Sequence, residues 1–291
     1  MIFKTRRQIL QAAAVGIAQY LLSPVRANPL PKSLIVGIVP NLSPRSMLSA
    51  YQPLREQFSS YLGRPVELFT APDFKTFYAR SVAGEFDLVL MPAHLARLAQ
   101  IEVGMAPIAQ FMPKQSGVLI IAKHSLIRAP SDLHGKRLAL VDSLALVTLR
   151  AEEWLRAQGL IPGINLPLPL HFTYHNAAAE AVINGNVDAA IVSSAPLAGM
   201  PPEMREALRA LTSIGEISSN VFMANPKLSK DELSQLLGAL MEFKHQPGAG
   251  PRFLARYRYT DIVVPSISEM QAQDAYAKRA QYIMATQRDA R

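Results

Sequence analysis

The chain has 291 residues, no cysteine and a formal net charge of +8, with 49% hydrophobic and 18% charged residues. That composition excludes a disordered chain, and the lack of cysteine excludes a disulfide framework and a zinc-thiolate site. The length exceeds one ordinary core, so two domains are expected.

Residues 1–27 read as an export signal that is removed on maturation. Lys4, Arg6 and Arg7 form a basic start, Ile9 to Leu22 a weakly apolar middle, and Val25-Arg26-Ala27 a small-residue cleavage site after Pro24. The apolar stretch is too short and too polar to span a bilayer comfortably. Thr5-Arg6-Arg7-Gln8-Ile9-Leu10 resembles a twin-arginine signal, read by the exporter of folded proteins, although Gln11 stands where many such signals have Lys. Removing four basic residues and no acid leaves the mature chain at about +4. It carries no Lys/Arg block and no basic-aromatic stripe, so nucleic acid is not an expected partner. No cysteine is available for a lipid anchor, so a free, monomeric periplasmic protein is expected.

The first β-branched run is Ser33 to Val39. A helical stretch follows from Ser46 to Leu62, then Val66 to Phe69, a helix from Phe74 to Ala83, and the apolar run Leu88-Val89-Leu90-Met91. The same order returns later. Lys136 to Val141 reads as a strand, Thr148 to Gln158 as a helix, Pro169 to Thr173 as a strand, Ala177 to Asn184 as a helix, and Ala189 to Val192 as a strand. One phrase repeats closely: ARSVAGEFDLVLM at residues 79–91 and AEAVINGNVDAAIV at 179–192, each with a helix-ending Gly and an Asp before the apolar run. Strand–helix alternation of this kind predicts α/β halves, each a mainly parallel sheet flanked by helices.

The halves join through Ser116 to Ala122, and a β-rich passage around Ile217 to Ala224 returns the chain. Residues 33–119 with 221–291 are expected to form one lobe and 120–220 the other. Capping boxes at Ser229–Glu232 and Ser266–Glu269 open a helical tail on the first lobe.

No nucleophile elbow, phosphate-cradling loop or His-Glu-x-x-His motif is present. His171 and His175 straddle a strand end; four residues along a strand separate them by roughly 13 Å, too far to share one metal. No metal, cofactor or catalytic residue is expected. The architecture supplies a location instead, because ligands on open α/β sheets bind beyond the carboxyl ends of strands, facing helix N-termini. Those ends carry Asn41, Asp73, Phe74, Pro92, Ala93 and His94 in the first half. In the second they carry Asp142, Val147, Thr148, His175, Ser193 and Ser194. Gly117 and Asn220 stand on the two joining passages. Helix capping explains Asn41, Asn176 and Ser193 equally well one at a time; as a set around one cleft they favour binding.

These residues resemble the periplasmic substrate-binding proteins of phosphonate and phosphate-ester importers. The carriers are Gly37-Ile38-Val39-Pro40, Tyr51-Gln52-Pro53-Leu54 with Tyr61-Leu62-Gly63, Gly84-Glu85-Phe86-Asp87, Ser131-Asp132-Leu133-His134-Gly135-Lys136-Arg137, His175-Asn176-Ala177-Ala178, and Ala181 to Ala190. The resemblance implies a type II two-lobed periplasmic-binding-protein fold, closing on its solute about a two-segment hinge and delivering it to an ABC-type permease. The alternative partner is a membrane-bound histidine kinase, with the protein as its sensor subunit. An enzyme on this fold would need a catalytic constellation, and none is visible.

One departure bears on the ligand. The family follows its second-lobe strand with Asp, Pro, any residue, then Ser-Thr-Ser-Gly and Tyr, whose hydroxyls and helix-start amides clasp phosphonate oxygens. Here those hydroxyl positions are Ala145, Leu146 and Val147, at a cost of roughly 1 kcal/mol or more per lost donor. Phe74 and Leu95 stand where the family has a hydroxyl-bearing aromatic and a Tyr. His175 matches a ligand-facing His, but its following Asp is Asn176. The expected ligand is therefore less anionic than a phosphonate, polar, or furnished with an apolar part.

Overall fold

The computed structural model describes residues 32–245 and 247–286; the expected export signal lies outside them. In the first half, β1 (Leu34–Ile38), α1 (Pro44–Leu62), β2 (Val66–Phe69), α2 (Phe74–Val82), β3 (Leu88–Met91) and α3 (Ala93–Val103) are followed by β4 (Ala106–Met112). The second contains β5 (Gln115–Ala122), β6 (Leu138–Leu140), α4 (Leu146–Ala157), β7 (Leu170–His171), α5 (His175–Ile183), β8 (Ala189–Ser193), α6 (Ser194–Gly199), α7 (Pro202–Glu206) and β9 (Leu208–Ile217). The chain then runs through β10 (Val221–Ala224), α8 (Lys230–His245), α9 (Ala249–Arg256), β11 (Asp261–Val263), α10 (Ile267–Gln271) and α11 (Asp274–Thr286).

Two sheets result, with strand orders β11-β4-β10-β3-β1-β2 and β7-β6-β8-β5-β9. Each holds a parallel trio of the same construction, β2-β1-β3 and β7-β6-β8, built by the repeated strand–helix–strand–helix–strand order. Antiparallel strands extend both trios. Each sheet is therefore mixed, parallel where the helices make crossovers and antiparallel where the connecting strands join.

The repeated phrase has the same job twice. Asp87 accepts from the Ile35 amide at 2.8 Å and Asp188 from the Arg137 amide at 2.7 Å. The backbone amides of Asp87 and Asp188 return the favour to the Ile35 and Arg137 carbonyls, both at 2.9 Å. Each Asp thus registers the start of the neighbouring strand, while Gly84 and Gly185 leave the preceding helix at φ 79° and 70°. β3 and β8 are buried on both faces, as their unbroken apolar runs require. Leu88 and Leu90 face a core with Leu54, Phe58 and Phe243; Val89 and Met91 face the other, with Phe77, Phe86 and Leu95.

The boundary expected between residues 119 and 120 falls earlier in strand terms. β5 pairs along its whole length with β9 and from Gly117 to Ile121 with β8, so residues 115–119 belong to the second sheet. The chain crosses at Pro113-Lys114 and returns at Ser218–Asn220. These crossings touch: the Gln110 side chain donates to the Ser219 carbonyl at 3.1 Å, and the Ser219 hydroxyl to the Pro113 carbonyl at 3.0 Å. Both tail capping boxes form, at Ser229–Glu232 and Ser266–Glu269. α8 and α9 pack on α1, and β11 completes the first sheet. α11 lies on α3, held by Arg97–Asp274 at 2.6 Å, and also reaches α4 of the second half, where Tyr276 donates to Glu153 at 2.7 Å and Arg279 pairs with Glu152.

Candidate functional site

The strand ends of both sheets meet at one cavity of about 30 Å³, close to the volume of a single water. The first sheet contributes Val39, Asn41, Phe74 and Pro92; the second contributes Ala145, Leu146, Val147, His175, Ser193 and Pro196. Gln115, Ile217, Ser218 and Asn220, on or beside the crossings, complete the wall. Seven of the fourteen sequence-predicted contacts therefore share this cavity: Asn41, Phe74, Pro92, Val147, His175, Ser193 and Asn220.

The other seven hold the site together from outside its lining. Asp73 caps α2, its carboxylate accepting from the Thr76 amide at 2.7 Å. Ala93 is buried at the start of α3. Next to it, His94 is fully buried and donates from Nε2 to the Leu144 carbonyl at 2.9 Å, across the two halves. Asp142 also bridges the halves, its carboxylate accepting from the amides of Phe74 at 3.3 Å and Leu144 at 2.8 Å. Burial pushes the Asp142 acid above its usual range, against the pull of those amide hydrogen bonds. Thr148 turns its hydroxyl back to the Val141 carbonyl at 3.2 Å, and Ser194 accepts from the Ser116 amide at 3.0 Å. Gly117 is paired on both sides within β5; a Cβ there would sit 3.2 Å from Val147 and 2.4 Å from Ile214. Its smallness lets Val147 seat against the sheet.

His175 opens α5, two residues before the helix start expected from sequence. Its backbone N–H donates to the Asn41 carbonyl at 3.1 Å, another hydrogen bond between the halves. Its Nδ1 accepts from the Ser193 amide at 3.3 Å, so the ring proton resides on Nε2, the donor left for the cavity. Burial lowers the His175 pKa to about 3 and the His94 pKa to about 4, so both rings are neutral at pH 7. α4 begins at Leu146 without a side-chain cap, bringing Ala145, Leu146 and Val147 to the wall as apolar groups. Two buried amide oxygens on the lining, Asn41 Oδ1 and Gln115 Oε1, have no hydrogen-bond partner. Gln115 spends its N–H on the Tyr259 hydroxyl at 2.9 Å. No lining residue carries a formal charge.

Sequence reasoning passed over Val39, Gln115, Pro196, Ile217 and Ser218. The polar pair stood next to the joining passages, the only available signal. Ala145 and Leu146, departures from the family's hydroxyl pattern, also line the cavity. Among the described residues no group of three or more His, Asp or Glu could hold a metal ion. No helix of the described residues is long and apolar enough to cross a membrane.

Comparison with known proteins follows the same lines. The profile of a family described as ABC transporter, phosphonate, periplasmic substrate-binding protein matches residues 36–270. The fold is shared with a binding protein component of an ABC phosphonate transporter from Pseudomonas aeruginosa, 18% identical, covering 87% of this chain and 88% of that one with a TM-score of 0.73. PhnD1 from Prochlorococcus marinus, solved with methylphosphonate, is 14% identical over 86% of this chain and 99% of its own, with a TM-score of 0.74. The aliphatic sulphonate binding protein SsuA from Escherichia coli is 18% identical over 88% and 93%, with a TM-score of 0.58. The two mixed sheets, the cavity between their strand ends and the match over residues 36–270 place this chain in the family of periplasmic substrate-binding proteins of phosphonate ABC transporters.

Proposed function

We propose that this protein captures a small polar molecule of low negative charge between its two lobes and delivers it to an ABC permease. One observation carries the reading: the cavity that both sheets build is bounded wholly by uncharged groups. A phosphonate dianion leaving water needs cations or several strong donors to offset its desolvation. The lining offers the His175 Nε2–H, helix-start amides and side-chain amides, but no Lys or Arg. Ala145, Leu146 and Val147 add apolar surface where hydroxyls would serve an anion. A neutral or zwitterionic ligand with an apolar part suits this wall better.

The cavity's small volume means that a ligand enters with the lobes apart and replaces some direct contacts between them, among them the Asn41–His175 hydrogen bond. The protein acts in the periplasm as a monomer once residues 1–27 are removed. Delivery to a permease is preferred to signalling through a membrane kinase because the family is one of transport. The test is a thermal-shift screen of neutral, zwitterionic and anionic small molecules, followed by calorimetry. A ligand at a hundred times its dissociation constant adds about 2.7 kcal/mol of stability. Micromolar affinity for methylphosphonate would refute the proposed ligand class.

A further inference from the structure

A second cavity, of about 250 Å³, shares no lining residue with the cleft. It equals about eight water volumes, room for a small headgroup and a short alkyl chain. Val118 and Ile120 of β5, Leu197 of α6 and Leu208 of β9 make its apolar floor. Arg205, Arg209 and Arg258 stand on its walls. Arg205 and Arg209 belong to the second half, whereas Arg258 comes from the turn after α9, which packs with the first sheet. Among the described residues no carboxylate pairs with any of the three. Arg209 donates only to the Ser125 and Ile127 carbonyls, which leave its charge uncompensated.

Arg258 supplies an independent observation. It adopts φ 59°, the one left-handed residue other than glycine among those described. Tyr259 donates its amide to the Leu254 carbonyl at 2.8 Å and Arg258 to the Ala255 carbonyl at 3.1 Å, so α9 ends in a Schellman turn. Glycine is the residue that turn favours at this position. An arginine there sacrifices local stability and places a guanidinium at the cavity. The turn is fixed from the other side as well: Arg256 donates to the Gly199 carbonyl at 3.0 Å, and a Cβ on Gly199 would lie 2.2 Å from the Tyr257 ring.

We propose that this cavity is a second ligand site, for an organic anion whose carboxylate or sulfonate headgroup is held by Arg205 and Arg258 with its short apolar chain on the β5 floor. Guanidinium groups match such headgroups in charge, and their planar fork of N–H donors reaches two oxygens of either at once. The site does not depend on what the cleft binds.

The experiment is calorimetric titration of the full chain with 1-hexanesulfonate, hexanoate and the uncharged 1-hexanol. Saturable binding of at least one anion at a dissociation constant of about 1 mM or below is expected, weakening as salt is raised. In the variant Arg205→Gln/Arg258→Gln it weakens at least about tenfold. Arg258→Gly alone weakens it while raising the melting temperature, a combination that a purely structural arginine would not give. Absence of anion binding, equal binding of hexanol, or binding unaffected by either variant would overturn the proposal; in the last case the anion sits elsewhere, the cleft included.

Discussion

The two neutral histidines at the cleft make acid stability the most direct test of how the lobes are joined. His94 is fully buried and His175 nearly so, with pKa values lowered from 6.5 to about 4 and about 3. In the unfolded chain both rings take up a proton near pH 6.5, whereas in the folded chain they resist it. Stability from these groups is therefore fully present above pH 6.5 and is lost as pH falls toward the folded values. Between pH 7 and pH 4.5 each histidine removes about 2–3 kcal/mol of stability. The assay is urea unfolding followed through Trp154, the single tryptophan. The double variant His94→Gln/His175→Asn keeps the hydrogen bonds without the titration. A glutamine N–H replaces the Nε2–H toward Leu144, and an asparagine oxygen replaces Nδ1 toward the Ser193 amide. Its unfolding free energy is expected to fall far less than the parent's over this range, with the raised Asp142 acid acting in the opposite direction. A double variant that loses as much stability as the parent would refute the assignment of the acid limb to these rings.

Three further outcomes follow from the packing and the cleft. Gly117→Ala forces a Cβ to within 2.4 Å of Ile214 and 3.2 Å of Val147; a loss of about 1–3 kcal/mol in the urea unfolding free energy is expected. Asn225→Ala removes a buried side chain that donates to the Phe86 carbonyl at 2.9 Å and accepts from the Lys227 amide at 3.0 Å, costing about 1–3 kcal/mol in the same assay. Ala145→Ser/Leu146→Thr/Val147→Ser adds three hydroxyls at the start of α4. Calorimetry with methylphosphonate should show a gain of up to about a hundredfold, about 1 kcal/mol per donor. No gain would mean that hydroxyls at α4 do not govern the ligand class.

The parallel trios were legible because every signal agreed. Apolar runs such as Leu88 to Met91, helical spacing between them, and the Gly and Asp of the repeated phrase point to one arrangement. The antiparallel additions were harder to see. Ala106–Met112 carries Pro107 and Gln110, which argue against a central strand. Pro107 is accommodated at a register shift against β10, where a missing amide costs little. β9 mixes exposed and buried residues without strict alternation and bends at Gly215, φ 107°, beside another register shift. At the cleft, strand ends and helix starts pointed to Asn41, His175 and Ser193. Gln115 and Ser218 escaped because their position depends on where the chain crosses between sheets, a tertiary fact with no local signature. Asp142 and His94, expected at the ligand from their strand-end positions, bond the opposite half instead, a partnership between segments distant in sequence.

The last described helix, α11, is linked to the wall of the cavity through its neighbours. It grips α3 through Asp274 and α4 through Tyr276 and Arg279, and α4 is the helix whose first residues form the cavity wall. This helix is thus a handle on α4. Trimming it, or burdening it with a bulky fusion, loosens α4 and alters how long a captured molecule stays, although no residue of the wall has changed.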